Sequence, residues 1–457
     1  MDGSGGTIDT VENTRIRRQF GPIEFVRRIR SDQLSILTPE IFARPLIHTR
    51  LLFLHSFFVN KPEYIEQVLL TNAENYTKSH FHRRILGPSL GHGLLTSEGD
   101  FWRRQRRIAA PAFHHRRVAE FVEAMTGCTS AMIGGWSEGV PFDAAEAMMA
   151  LTLEIIARTM FSADVSGVVA DVRRLLSVVM DYAKPGVLDL FGFPEFVPRR
   201  VPRPYRDAVR ELDALIEGIV APRRAGAVDR GDLLSMLLAA RDPETGERMS
   251  PVQLRDEVTT ILMAGHETTA NALAWTWFLL ARHPEIEAKL HAEIDSVLDG
   301  RLPVSADLPQ LAYTRQVIEE SMRLYPPAHT ISRTAAGPDR LGDVPVPAGA
   351  AITISTYVTH RNPTLWPDPD RFDPDRFTPE RVAARHRFAY LPFGGGPRIC
   401  IGNGFAMTEA LAIVATVAQR WRLRLAPGHS VEPIGLITLR PATGVWVIAE
   451  RRERKHK

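Results

Sequence analysis

The 457-residue chain has only two cysteines, Cys128 and Cys400, too few for a disulfide framework and in keeping with a reducing compartment. Charge imbalance is also slight. With 56 basic and 53 acidic side chains, a net +3, the chain does not read as a general nucleic-acid-binding protein, although local clusters could still guide one partner. Long apolar runs are missing. The longest early run, Leu51 to Val59, is broken by His55 and Ser56 and falls far short of the roughly 20 residues that span a bilayer. The opening MDGSGGTIDTVENTRIRR has no apolar signal core. These absences predict a cytoplasmic protein with no transmembrane anchor. Repeats, low-complexity tracts and long linkers are absent as well. One domain over residues 1–457 is expected, with residues 1–20 as a flexible N-terminal segment.

What is present reads as an ordinary globular protein, 44% hydrophobic and 24% charged. The expected fold is mainly α with a smaller β region. Leu46 to Val59 reads as paired strands. Ala350 to Val358 and Ile434 to Ala449 read as further strands, the last turning at Pro441 to Gly444. The clearest helix starts at Ser250, with Pro251 at the first helical position and Gln253 completing a capping box, and runs to Arg282. Its middle, ILMAGHETTANALAW, is apolar around a small polar island. That pattern fits a buried helix with one functional interruption.

The strongest chemical signal is FGGGPRICIG, Phe393 to Gly402, followed by the apolar helical stretch Phe405 to Trp421. Its glycines let the backbone turn sharply and approach a flat ligand. A loop leading into a helix places Cys400 near backbone N–H groups and a positive helix end, which favour a thiolate. Taken alone, such a cysteine is most often inert and buried. The whole string is what changes the reading: Phe393, Gly396, Arg398, Cys400 and Gly402 match the haem-binding loop of the cytochrome P-450 family, and the resemblance extends from Trp102 to the C-terminal hairpin. It implies haem b held between the long central helix and the cysteine-loop helix, with Cys400 as the iron ligand and Phe393, Arg398 and Gly402 among the cofactor contacts. A thiolate is the electron-rich ligand that favours O–O cleavage.

The island AGHETT, Ala264 to Thr269, resembles the family's oxygen-activation motif. Gly265 costs about 1 kcal/mol relative to alanine inside a helix, and room for dioxygen would account for it. Ala264 and Thr268 share a face. The resemblance implies that Thr268 places a proton during oxygen activation while Glu267 feeds protons from solvent. A back-bonding threonine and a solvated carboxylate are the plainer alternatives. A zinc-protease HExxH reading fails because Ala270 stands where histidine is required.

In FWRRQRR, Trp102 and Arg106 lie four apart and can both donate to an anion. A solvated basic face is the alternative, but the family's WxxxR implies haem propionates, with Arg333 and Arg398 supplying the remaining contacts. Glu320 and Arg323 could be a surface pair. The resemblance instead buries them with Arg376, behind the cysteine loop. Arg103, Arg104, Arg107, Arg116 and Arg117 are expected to offer a basic face to an acidic redox protein, and Cys128 to serve packing alone.

The implied activity is a monooxygenase that puts one oxygen atom of dioxygen into an apolar substrate such as a fatty acid, terpenoid or steroid. Electrons would come from a separate ferredoxin and ferredoxin reductase, or a flavodoxin. A haem-thiolate peroxygenase or isomerase, or a haem-based gas sensor, remain alternatives against which Glu267 and Thr268 weigh. Pocket walls are expected from Phe81 to Leu95, Leu188 to Val201, the Ala264 face, Ala328 to Ile331 and Gly435 to Thr438.

Overall fold

Ser250 opens the longest helix in the way its spacing predicts. Its hydroxyl accepts the Gln253 N–H at 3.2 Å, and the Gln253 carboxamide oxygen accepts the Ser250 N–H at 2.7 Å, closing the capping box. In this computed structural model, which describes residues 22–51, 54–162, 169–182, 201–226 and 229–452, the helix runs Pro251–Arg282 over 32 residues. At 1.5 Å per residue it is about 48 Å long.

Five helices carry the site: α1 (Gly99–Ala109), α2 (Ala144–Phe161), the central α3 (Pro251–Arg282), α4 (Ala312–Leu324) and α5 (Asn403–Ala418). Helix α3 packs along α2 and against α4 and α5. Helix α5 is mostly apolar, and Leu411, Ile413, Val414 and Val417 are all buried, as such a helix requires. It ends at Ala418, and Trp421 starts the strand Trp421–Leu425 instead of closing the helix.

The smaller β region contains a sheet of β1 (Leu46–Leu51), β2 (Leu54–Val59), β3 (Tyr76–Lys78), β4 (Ile331–Ala335) and β5 (Ala351–Ile354), ordered β1-β2-β5-β4-β3. The predicted β1–β2 pair is antiparallel with Leu46 opposite Val59, and β2 pairs with β5 in parallel. Two expected strand limits are corrected. Strand β5 stops at Ile354 because Ser355 caps the helical turn Thr356–Thr359, its hydroxyl accepting the Val358 N–H at 3.3 Å. The C-terminal stretch turns earlier than predicted: Pro433–Gly435 pairs with Leu439–Pro441. Residues 441–444 instead carry the chain to another sheet, where Trp446–Arg451 lies between Pro141–Asp143 and Trp421–Leu425. Asp143 fixes that crossing by accepting the N–H groups of Val445 and Ala145 at 2.8 and 2.9 Å.

Glu320 and Arg323 are no surface pair. Both are 0% exposed, joined at 2.6 and 2.8 Å, with Arg376 adding a 3.3 Å contact to Glu320. Arg323 also donates to the carbonyls of His360, Pro369 and Arg371. Removing one member of such a buried pair strands a charge, at a cost of about 3–5 kcal/mol. Cys128 is packed in the core, and burial pushes its thiol up to about 11. No helix among the described residues is long and apolar enough to cross a membrane. Residues 1–20 and 188–200 lie outside the described residues, as do the side chains of residues 80–82.

Candidate active site

The loop Phe393–Gly402 closes on itself when the Cys400 N–H donates to the Phe393 carbonyl at 2.9 Å. Gly396 has φ +66°, and a Cβ there would fall 1.7 Å from the Leu69 carbonyl oxygen, so only glycine fits. Gly402 caps α5, and Phe393 is half-buried. Cys400 carries open surface, although the loop crowds its thiol on the other sides. That crowding pushes the thiol above its ordinary value, and the Gly402 N–H and the Arg106 guanidinium oppose it without prevailing. The expected N–H group is present at Gly402 and favours the thiolate, while burial works against it. A coordinating metal ion is what deprotonates a thiol outright.

On α3, Ala264 is exposed between Met263 and the buried His266 and Glu267. In the middle of an otherwise buried helix, no side chain of the described residues covers Ala264. Thr268, one turn on and half-buried, donates its hydroxyl to the Ala264 carbonyl at 2.7 Å, the back-bonded geometry open to a mid-helix threonine. Gly265 does not provide the room expected of it. A Cβ there would sit 2.6 Å from Ile156 Cδ1 on α2, so its smallness serves helix packing, and the uncovered position is Ala264.

Glu267 is 7% exposed, so its carboxyl stands back from bulk water. Its carboxylate accepts the Thr438 hydroxyl at 2.6 Å, and the Asn271 amide donates to Thr438 at 3.3 Å. Burial pushes Glu267 up, against the Thr438 hydrogen bond and the Arg440 charge. The sequence reading had placed Thr438 only in a pocket wall. It also missed Glu409, wholly buried on α5 beside Thr269 and held well above the usual carboxylate range by burial. The available signal was an acid inside an otherwise apolar helix.

Helix α1 brings its tryptophan to the cysteine loop. The Arg398 guanidinium lies 4.0 Å from the Trp102 ring centre, and Arg106 lies 5.8 Å from the same ring. Arg398 pairs with Glu98 and donates to the Ser97 carbonyl at 3.1 Å. Arg333, on β4, donates to its neighbour's Ser332 carbonyl at 2.9 Å; burial and then the Arg398 charge bring it down to about 10. A further cation escaped the sequence reading. Lys78 pairs in register with Arg333, and its ammonium donates to the carbonyls of Leu94 and Leu95 at 2.8 and 2.6 Å. Burial, then Arg398, holds it well below its ordinary value. Lys78, Arg333 and Arg398 thus share one ion-paired carboxylate, Glu98, with Arg106 next to Arg398, and among the described residues neither Arg106 nor Arg333 forms a salt bridge. A half-buried cluster of four cations is a fitting seat for the two propionates of a haem.

Residues 42–444 match the family model described as cytochrome P-450. The chain belongs to the cytochrome P-450 family. It is 44% identical to cyclooctatin synthase of Streptomyces melanosporofaciens over 81% of each chain. Cyclooctat-9-en-7-ol 5-monooxygenase of the same organism is 41% identical over 84% of each. Pentalenene oxygenase of Streptomyces avermitilis is 37% identical, over 83% of this chain and 84% of its own. Among solved structures, the cytochrome P450DA heme domain superposes with a TM-score of 0.83 at 27% identity, covering 97% of this chain and 96% of its own. This cytochrome P-450 is a haem b enzyme, an oxidoreductase that incorporates oxygen.

The basic face expected on α1 of this cytochrome P-450 is largely neutralised. Arg103 pairs with Asp100 and Glu74 at 2.5 and 3.0 Å, and Arg104 pairs with Glu247. Arg107 meets Glu244 and Asp242 at 2.8 and 3.3 Å, and Arg117 meets Glu120 at 3.2 Å. Arg116 is exposed. The acidic turn at 242–247 lies far away in sequence, so α1 alone could not reveal it. Of the expected pocket walls, Thr438 reaches Glu267, while a Cβ on Gly435 would lie 3.0 and 3.1 Å from Leu34 and His329.

Proposed function

We propose that this cytochrome P-450 hydroxylates an apolar terpenoid, with Cys400 as the axial iron ligand and electrons delivered by a separate ferredoxin and its reductase, or a flavodoxin. The observation that carries the reading is the exposed Ala264 on a buried helix, with Thr268 on the same face. The names of the two cyclooctatin relatives and of pentalenene oxygenase support the terpenoid class over fatty acids and steroids. When bound, haem b supplies the reductive activation of dioxygen that puts one atom into the substrate and releases the other as water.

The chain's own residues do the rest. Trp102, Arg106, Arg333, Arg398 and Lys78 hold the propionates by charge-assisted donors. Phe393 and Gly402 shape the loop around Cys400. Ala264 leaves space for substrate and oxygen. Thr268 offers a hydroxyl beside that space once it swings from the Ala264 carbonyl, and Glu267, kept in reach by Thr438, holds a proton behind it. A titration of the ferric enzyme with polycyclic terpene alcohols, fatty acids and steroids, followed by haem absorbance, tests the substrate class. Saturable micromolar shifts with the terpenoids alone are expected. Shifts confined to fatty acids or steroids overturn it.

A further inference from the structure

Residues 91–97 form a short bridge with an unusual set of anchors. On one side the His92 N–H donates to the Asp256 carboxylate at 2.7 Å, and the Leu94 N–H donates to Glu257 at 3.0 Å. Both acids are on α3 and almost wholly buried, at 2% and 1% exposure. Two glycines let the bridge lie directly on the helix. A Cβ at Gly91, where φ is +55°, would sit 2.3 Å from the Asp256 carboxylate; one at Gly93 would sit 2.1 Å from the Thr260 hydroxyl.

The other side is tied to the propionate cluster. Lys78 holds the carbonyls of Leu94 and Leu95, and its own N–H donates to Glu98 at 2.7 Å. Arg398, two residues from Cys400, grips Glu98 and the Ser97 carbonyl. Inside the bridge the Thr96 hydroxyl donates to the carbonyls of Gly91 and Gly93 at 2.7 and 3.2 Å, so the segment is braced to move as one body. Glu257 and Ala264 are seven residues apart, two turns along one face. The bridge therefore joins the cysteine loop to the face of α3 that carries Ala264.

Asp256 is offset by the Arg255 guanidinium at 3.1 Å, but stability alone does not account for Glu257 beside it. Burying carboxylates is costly unless they are fully hydrogen-bonded, and Glu257 Oε1 is buried without a partner. Apolar side chains would fill the same place at lower cost, but they could not hold two backbone N–H groups.

We propose that Asp256 and Glu257 are a two-carboxylate latch that positions residues 91–97 over the haem slot and sets how fast apolar ligands enter and leave it. Glu257 acts as a positioning residue, through the loop it holds. The inference rests on haem occupying the slot and is independent of the substrate class.

The test uses the holoenzyme and 4-phenylimidazole, which reports on haem absorbance whatever the natural substrate. Glu257→Leu should raise both association and dissociation rates at least fivefold, and speed deuterium exchange at the amides of residues 92–95 at least tenfold, with exchange in α2 unchanged. Glu257→Gln, which keeps an acceptor for Leu94, should restore most of the wild-type behaviour. Gly93→Ala presses the bridge off α3 at Thr260, next to the Glu257 contact, and should reproduce the faster rates if Glu257→Leu does not fold. Wild-type rates and exchange in a folded, haem-loaded Glu257→Leu or Gly93→Ala protein would overturn the latch, as would a Gln variant as fast as the Leu variant.

Discussion

The Thr438 hydroxyl donates to the Glu267 carboxylate at 2.6 Å, tying the central helix to the turn of the C-terminal hairpin. Thr438→Val keeps the shape and removes the donor, so one carboxylate oxygen is left buried and unpaired. The expected cost is about 1–3 kcal/mol, read from denaturant unfolding. Product formation should slow severalfold, and Glu267→Gln should show the same slowing. Wild-type turnover in Thr438→Val would detach this hydrogen bond from the proton path.

Thr268→Ala should keep its haem, its substrate-induced spectral shift and much of its NADH consumption. The fate of the electrons should change, with less product and more hydrogen peroxide per NADH. A paired assay of NADH, product and peroxide measures this. Coupling equal to wild type would reduce Thr268 to the back-bonded packing role seen in its 2.7 Å bond to Ala264.

The reduced, carbon-monoxide-bound enzyme should show the red-shifted Soret band of thiolate ligation, and Cys400→Ser should abolish it. Retention of that band in the serine variant would remove Cys400 as the axial ligand.

Trp102→Ala combined with Arg106→Ala should lower haem occupancy after gel filtration. Each charge-assisted donor to a propionate is worth about 1.5–3 kcal/mol. Lys78→Met should act in the same direction. The same haem-to-protein ratio in all three proteins would move the propionates elsewhere.

Burial, reinforced by Asp256 and opposed by the Leu94 N–H and Lys78, raises Glu257 from an ordinary 4.5 to about 7. The folded chain thus keeps a proton that the unfolded chain releases near pH 4.5. Its stabilising contribution is complete below that pH and is lost as pH rises through about 7. Glu257→Gln should flatten the fall of Tm across this window. Parallel Tm profiles for the two proteins would show that Glu257 titrates elsewhere.

Local chemistry was legible in the sequence, and partnership at a distance was not. The Ser250 capping box follows from near neighbours and stands where the spacing put it, whereas the Leu69 carbonyl that makes glycine obligatory at 396 comes from far along the chain. Ser355 was read as part of a β-branched strand because its cap depends on where the sheet stops. Gly265 was given to dioxygen because nothing in AGHETT names Ile156, more than 100 residues earlier. The α1 arginines looked free because Asp242, Glu244 and Glu247 reach them only after folding. Lys78, in a short YTK strand, carries no signal of its own.

Ile156 stands directly behind Gly265, so how closely α3 approaches α2 is set partly by a side chain that lies outside the catalytic chamber. Trimming that isoleucine to valine gives α3 somewhere to retreat, and the chamber can widen without a change to any residue that lines it. Selectivity among substrates of different girth is therefore open to drift through α2, a helix that an alignment of lining positions alone would pass over.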